Sequence, residues 1–167
     1  GVDRFYMFNG VVREVPNSMN LNYFFDGINV NEQNKTFGFQ VPKYGEIWWC
    51  YPKGTATECT HAVVFNVREN TWYDTELPNT GRSAGHFNNS FAAPVLTGVR
   101  NDGEGYKVWR HEFKVDEYDG PTVRPIRSFF ETSDLSTLGT GDNRYLRITT
   151  IEPDFVQNGD MTVKVTG

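Results

Sequence analysis

The sequence has no long hydrophobic run. Its longest unbroken apolar stretch is Ile47-Trp48-Trp49-Cys50-Tyr51, far short of the roughly 20 residues that a membrane-spanning helix needs. Cysteine is scarce: Cys50 and Cys59 are the only two, too few for a disulfide framework. They flank a Gly/Thr-rich loop and read as free thiols, with a loop-closing disulfide as the alternative. No further Cys or His stands at ligand spacing, so no zinc site is expected. Basic residues are also outnumbered. The 167 residues carry 16 Lys+Arg against 21 Asp+Glu, a formal net charge of -5, which argues against gripping duplex DNA through its phosphates. The charge is evenly spread, with 7 basic and 9 acidic groups in residues 1–99 and 9 and 12 in the rest, so there is neither a basic tail nor an acidic arm.

Apolar residues in total are few, at 38%, but aromatics reach 15%, with 13 Phe, 8 Tyr and 4 Trp. Each large ring buries much area, so a core of Phe, Tyr and Trp compensates for a shortage of aliphatics. The length suits one domain with a real core. The chain opens on Gly1 and reads as a trimmed piece of a longer protein.

The recurring pattern is a short aromatic or β-branched run, a turn signal, and another run. Residues 4–8 lead through Asn9-Gly10 into residues 11–15, and Asn-Gly between strand-like runs is a strong hairpin signal. Further runs cover residues 35–41, 46–51, 61–67, 71–77, 94–99, 106–113, 123–132, 144–151 and 161–165. Residues 21–28 alone could be helical, and they are short and Asn-rich. Long segments of 3.6-residue period are missing, so the chain reads as all-β, built of antiparallel hairpins.

Two architectures compete, a sandwich of packed sheets and a propeller. The stretch from Ala62 through Trp72-Tyr73, an apolar strand followed by a polar turn and a strand opening on Trp, favours propeller blades, with Trp72 expected between neighbouring blades. Roughly ten or eleven strands, at about four per blade, make about two and a half blades, too few to close a ring of at least about four. The expected fold is therefore an incomplete β-propeller or a set of open packed sheets. Residues 1–120 would form the blade-like part, and residues 121–167 would add C-terminal strands packing on the same domain. Either arrangement leaves open edges that want a partner.

No catalytic constellation stands out. His61, His86 and His111 are scattered, and the serines lack a nucleophile-elbow context. Asp116, Glu117 and Asp119 before Gly120-Pro121 could serve a calcium site or one side of a glycosidase pair, but read as a solvated turn. Leu138-Gly139-Thr140-Gly141-Asp142 lacks the helix that a phosphate-cradling loop needs. No cofactor and no metal is expected. Trp48, Trp49, Trp109 and Tyr51 are the candidate interface or glycan contacts. Adjacent strand residues face opposite sides, so Trp48 and Trp49 can both be core only if both faces of their sheet are covered.

The runs Tyr44-Gly45-Glu46-Ile47-Trp48-Trp49-Cys50-Tyr51-Pro52 and Cys59 to Tyr73 resemble bacteriophage structural proteins. They are similar to the propeller-containing tail proteins of short-tailed phages, the tail tubular B or nozzle type. The opening Asp3-Arg4-Phe5-Tyr6 with Asn9-Gly10, and the runs from Phe130 and Ile151, fit the same pattern. Members of that family are several times longer, and this chain would correspond to a C-terminal part of the propeller. The resemblance implies a non-enzymatic virion component, assembled in the host cytoplasm as a ring with other tail or neck subunits around the DNA exit channel. No tight nucleic-acid binding and no membrane contact would be expected; an acidic wall suits passing DNA. The alternative is a carbohydrate- or receptor-binding β-module using exposed Trp and Tyr, and a glycan hydrolase with a carboxylate pair is the third reading.

Overall fold

The hairpin signals of the sequence become hairpins in the computed structural model, which describes residues 4–16, 21–78, 81–99, 105–126, 129, 149–152 and 160–164. The fold is all-β, with antiparallel sheets of two to four strands that stay open among the described residues. The chain divides into two compact units, Gly1–Ile126 and Arg127–Gly167.

In the first unit, β1 (Tyr6–Phe8) and β2 (Val12–Glu14) form a two-stranded ribbon. Phe8 pairs with Val12, so three residues close the loop, and Gly10 takes the positive φ. The short helix expected over residues 21–28 is α1 (Leu21–Gly27). A 3-10 turn, Val30–Lys35, follows. Asn29 caps it, its side-chain oxygen accepting from the Asn31 N–H at 3.2 Å, the local bond that makes Asn a good start for such turns.

The main sheet is a meander, β3 (Phe37–Val41), β4 (Glu46–Tyr51), β5 (His61–Asn66) and β6 (Thr71–Glu76), each strand beside its sequence neighbour. Its turns are held by side chains. Arg68 donates to the carbonyls of Pro42 at 2.8 Å and Lys43 at 3.2 Å. The Asn66 carboxamide oxygen accepts from the N–H groups of Arg68 and Glu69. A second sheet contains β7 (Ala84–Asn88), β8 (Ala93–Val99) and β9 (Tyr106–Arg110). Gly98 permits its close approach to the preceding segment, because a Cβ there would lie 2.1 Å from the Gly81 carbonyl oxygen. The last ribbon pairs β10 (Asp116–Asp119) with β11 (Thr122–Pro125). Its turn is Gly120-Pro121, with Gly120 at φ 62°. The sequence suggested a boundary at that turn, yet it joins two paired strands, and the division falls after Ile126.

Both faces of the main sheet are covered. On one side Phe39, Val41, Trp48, Cys50, Ala62 and Val64 pack with Leu96 of the second sheet. On the other, Tyr51, Val63, Phe65 and Trp72 pack with Phe5, Val15 and Phe24 from the N-terminal segment and α1. The consecutive run Ala62-Val63-Val64-Phe65 is therefore buried throughout. Continuous apolar sequence is what a doubly covered strand requires. Each fully buried Val, Leu or Phe contributes about 1.5–3 kcal/mol relative to exposure.

In the second unit no described residue is in a strand. Residues 161–164 are described and carry no strand pairing, in contrast to the run expected there. The expected strand over residues 144–151 lies largely outside the described residues. Of that over 123–132, residues 123–125 fall in β11, and most of the rest lies outside the described residues.

Candidate functional site

All four candidate contact residues belong to the first unit, and two of them are enclosed in it. Trp48 is 2% exposed and Tyr51 fully enclosed, so neither presents a face to a ligand or partner. Trp49, half-buried, lies against the second cluster, with ring centroids 4.9 Å from Phe5 and 5.8 Å from Trp72. The expectation of an exposed aromatic groove is corrected here for Trp48 and Tyr51. The N-terminal segment and α1 cover the face that would otherwise be open. Trp72 packs in the same cluster, its ring 4.6 Å from Phe65 and its indole N–H donating to the Pro16 carbonyl at 2.9 Å. Trp109 is half-buried and carries the Arg82 guanidinium over its ring at 3.9 Å.

Arg82 is a cluster the sequence did not signal. It is 1% exposed, donates from Nε to His111 Nε2 at 3.2 Å and from Nη2 to the Pro78 carbonyl at 2.9 Å. Burial lowers its pKa to about 10, which leaves it charged at neutral pH. His111 is pushed down to about 3 by burial and by the Arg82 charge. A guanidinium can only donate, so Nε2 of His111 accepts and the imidazole is neutral. The arrangement ties the second sheet to the first.

The acidic groups fall into two settings. Glu46 accepts from the Trp48 indole N–H at Oε2, 3.0 Å, and from the Tyr73 hydroxyl at Oε1, 3.1 Å. Glu112, on the turn after β9, is raised by burial and by the Glu46 charge. The hydrolase reading asks for two carboxylates free to act on a substrate. However, both oxygens of Glu46 are engaged by side chains of the main sheet, which makes it an acceptor within the fold. Glu117 pairs with Arg124 across the β10–β11 ribbon at 3.9 Å, and the segment read as a solvated turn is a strand. Among the described residues no group of three His, Cys, Asp or Glu is arranged to hold a metal ion.

Tyr51 sits beside His61 on the neighbouring strand, ring centroids 6.0 Å apart, and its buried hydroxyl has no hydrogen-bond partner among the described residues. The thiols are free and enclosed in the first cluster. Cys59 donates to the Lys35 carbonyl at 3.2 Å. Burial pushes Cys59 up to about 12 and Cys50 higher still, the opposite of what a nucleophilic or metal-binding thiol needs.

The surface offers more than the interior. The β1–β2 ribbon exposes Tyr6, Met7, Phe8, Val11 and Val12, with Phe8 at 75%. Strand β9 exposes Tyr106 and Val108, and the following turn and ribbon expose Phe113, Val115, Tyr118 and Val123. The alternation of apolar residues in β9 is compatible with that exposure, since alternation does not say which face is covered. Compared with protein-family models, curated proteins and solved structures, the chain matches none.

Proposed function

We propose that this chain is a non-enzymatic structural component of a short-tailed phage tail or neck. It would be part of a conduit through which DNA leaves the virion, working through protein–protein contacts. The phage assignment rests on the resemblance of the Glu46–Tyr51 strand and the Ala62-to-Tyr73 hairpin to nozzle-type chains. The observation that supports the mode of action is the exposed apolar side of the open ribbons, above all Phe8, Val11 and Val12 of β1–β2. A two-stranded ribbon is marginal by itself in water, and contiguous exposed apolar surface marks contact sites. The net charge of -5 fits a wall along which DNA passes without sticking. Of the residues the glycan-binding alternative names, Trp48 and Tyr51 are enclosed, whereas Trp49 and Trp109 are half-buried.

Light scattering of the purified chain over a range of concentrations tests the reading. Concentration-dependent self-association, or capture by other tail subunits, weakened by Phe8→Ser with Val12→Thr, is expected. A strict monomer that ignores tail subunits would count against it, as would a tight, salt-sensitive DNA complex.

A further inference from the structure

We propose that Asn9 is a self-modifying site. Its side-chain amide is lost to attack by the Gly10 backbone nitrogen, and the aspartate or isoaspartate that results weakens the contacts made by the β1–β2 ribbon. The modification stands on the local structure alone. Its effect on assembly rests on the reading that this ribbon is a contact surface.

Asn-Gly occurs twice in the chain, at Asn9-Gly10 and Asn158-Gly159, and the first lies within the described residues. A glycine after asparagine leaves the attacking nitrogen uncrowded and its backbone free to turn. Gly10 has φ 94°, and a Cβ added there would meet nothing within 4 Å. Both residues are exposed, in the three-residue loop between Phe8 and Val12. The backbone hydrogen bond of that loop runs from the Asn9 N–H to the Val11 carbonyl at 3.4 Å, and the Gly10 N–H has no acceptor among the described residues. Nor does the Asn9 carboxamide bond to any of them. Asparagines elsewhere are fastened. Asn29 donates to the Ala56 carbonyl at 3.0 Å and accepts from the Asn31 N–H. The carboxamide oxygens of Asn66 and Asn88 accept from backbone N–H groups of the turns that follow them.

The chemistry needs water and nothing else. The Gly10 nitrogen forms a bond to Asn9 Cγ, and the bond from Cγ to the amide nitrogen breaks. That nitrogen leaves as ammonia, carrying the proton given up by the Gly10 N–H. Ring closure is favoured because the two groups belong to adjacent residues. Water then opens the cyclic imide at either carbonyl. Breaking the ring nitrogen's bond to Cγ gives aspartate. Breaking its bond to the main-chain carbonyl carbon gives isoaspartate, in which the chain runs through Cβ and Cγ. One water is consumed and one ammonia released, with no oxidation or reduction. Either product adds a negative charge to a chain already at -5, at the tip of the ribbon that exposes Phe8, Val11 and Val12. That charge must be stripped of water when the apolar surface is covered. Isoaspartate also lengthens the loop backbone by one carbon, and loop length sets the register of the strands it joins.

The test keeps the whole chain warm for days at neutral and at mildly alkaline pH, with peptide mapping by mass spectrometry. A synthetic peptide of residues 4–15 is the unfolded reference. Asn9 is expected to gain one mass unit at a rate close to the peptide's and many-fold faster than Asn29, Asn66 or Asn88. The reaction should quicken at the higher pH, where the Gly10 nitrogen gives up its proton more readily. Gly10→Ala should slow it several-fold in chain and peptide alike, and the peptide separates a change of chemistry from a change of the hairpin. Asn9 reacting no faster than Asn29 and Asn66, or an unchanged rate in the Gly10→Ala peptide, would overturn the site. Light scattering then compares fresh and aged chain. The aged chain should associate several-fold more weakly, fresh Asn9→Asp should do the same, and Asn9→Gln aged alike should not. Equal association of all of them would overturn the effect on assembly. Modification of Asn9 in a chain that never associates keeps this site and sinks the assembly reading. Association by a chain whose Asn9 does not react does the reverse.

Discussion

Arg82 and His111 are joined through Nε and Nε2 at 3.2 Å, and each rests on a tryptophan: Arg82 over Trp109 at 3.9 Å, His111 edge-on to Trp48 at 6.4 Å. The pair links the second sheet to the covered face of the first. Removing the guanidinium leaves the imidazole nitrogen and the Pro78 carbonyl without their donor in a closed site. Arg82→Ala is expected to cost about 3 kcal/mol, the range for breaking a buried charged network. Arg82→Lys should recover only part of that, because an ammonium lacks the planar fork and stacks less well on indole. Urea denaturation of the two variants against the parent checks the order.

The same contact makes stability depend on pH. The ordinary histidine value is 6.5, and burial with the Arg82 charge lowers that of His111 to about 3 in the fold. The unfolded chain therefore takes up the proton first as pH falls. The contribution is complete above about 6.5 and is lost progressively toward 3, at up to about 1.4 kcal/mol per pH unit for one such group. His61, lowered by burial and by Lys53, acts in the same direction. Asp74 and Glu112 are raised chiefly by burial, so they bind protons more readily folded than unfolded and oppose the trend at the acid end. His111→Gln keeps an acceptor and removes the titration. Its urea midpoint should vary less than the parent's between pH 6.5 and 4.

Phe5 meets four rings, Phe24, Phe25, Trp49 and Trp72, at centroid distances of 4.9 to 5.4 Å. It is the side chain through which the N-terminal segment closes the second face of the main sheet. Phe5→Ala is expected to cost about 3–5 kcal/mol and to raise the exposure of Trp49 and Trp72. A red shift and stronger acrylamide quenching of tryptophan emission in the folded variant would report it. Unchanged quenching would mean that the cover does not depend on this ring.

Much of this fold was legible in the residues. Ala62-Val63-Val64-Phe65 announced a buried strand, and Asn9-Gly10 a hairpin. The adjacency of Trp48 and Trp49 posed the right question, whether both faces are covered, but alternation is blind to what lies opposite. The answer came from Phe5 and Phe24 on one side and Leu96 on the other, contacts distant in sequence. Two strands escaped notice because their composition argued otherwise. Ala84-Gly85-His86-Phe87-Asn88 has no β-branched residue, and Asp116-Glu117-Tyr118-Asp119 is acidic enough to pass for a solvated turn. Each is specified by its partner strand more than by its own propensity. Arg82 gave no sign at all, since a single arginine in a loop carries no period. Its role comes from the tertiary site that closes on it.

The two cysteines supply the last expectation. Both lie within the first cluster, Cys50 and Cys59 each fully buried, and Cys59 Sγ donates to the Lys35 carbonyl. Burial raises both thiols, Cys59 to about 12, so thiolate is scarce at neutral pH and reagent has no path to it. Labelling by a thiol reagent should proceed only through opening of the fold. The rate should rise steeply with urea and track the unfolding equilibrium, as expected when opening and closing are fast relative to modification. Arg82→Ala should speed it in proportion to its loss of stability, because the same sheet contact shuts both sites. Rapid labelling of the parent in native buffer would show instead that the face closed by Leu96 opens locally, without global unfolding.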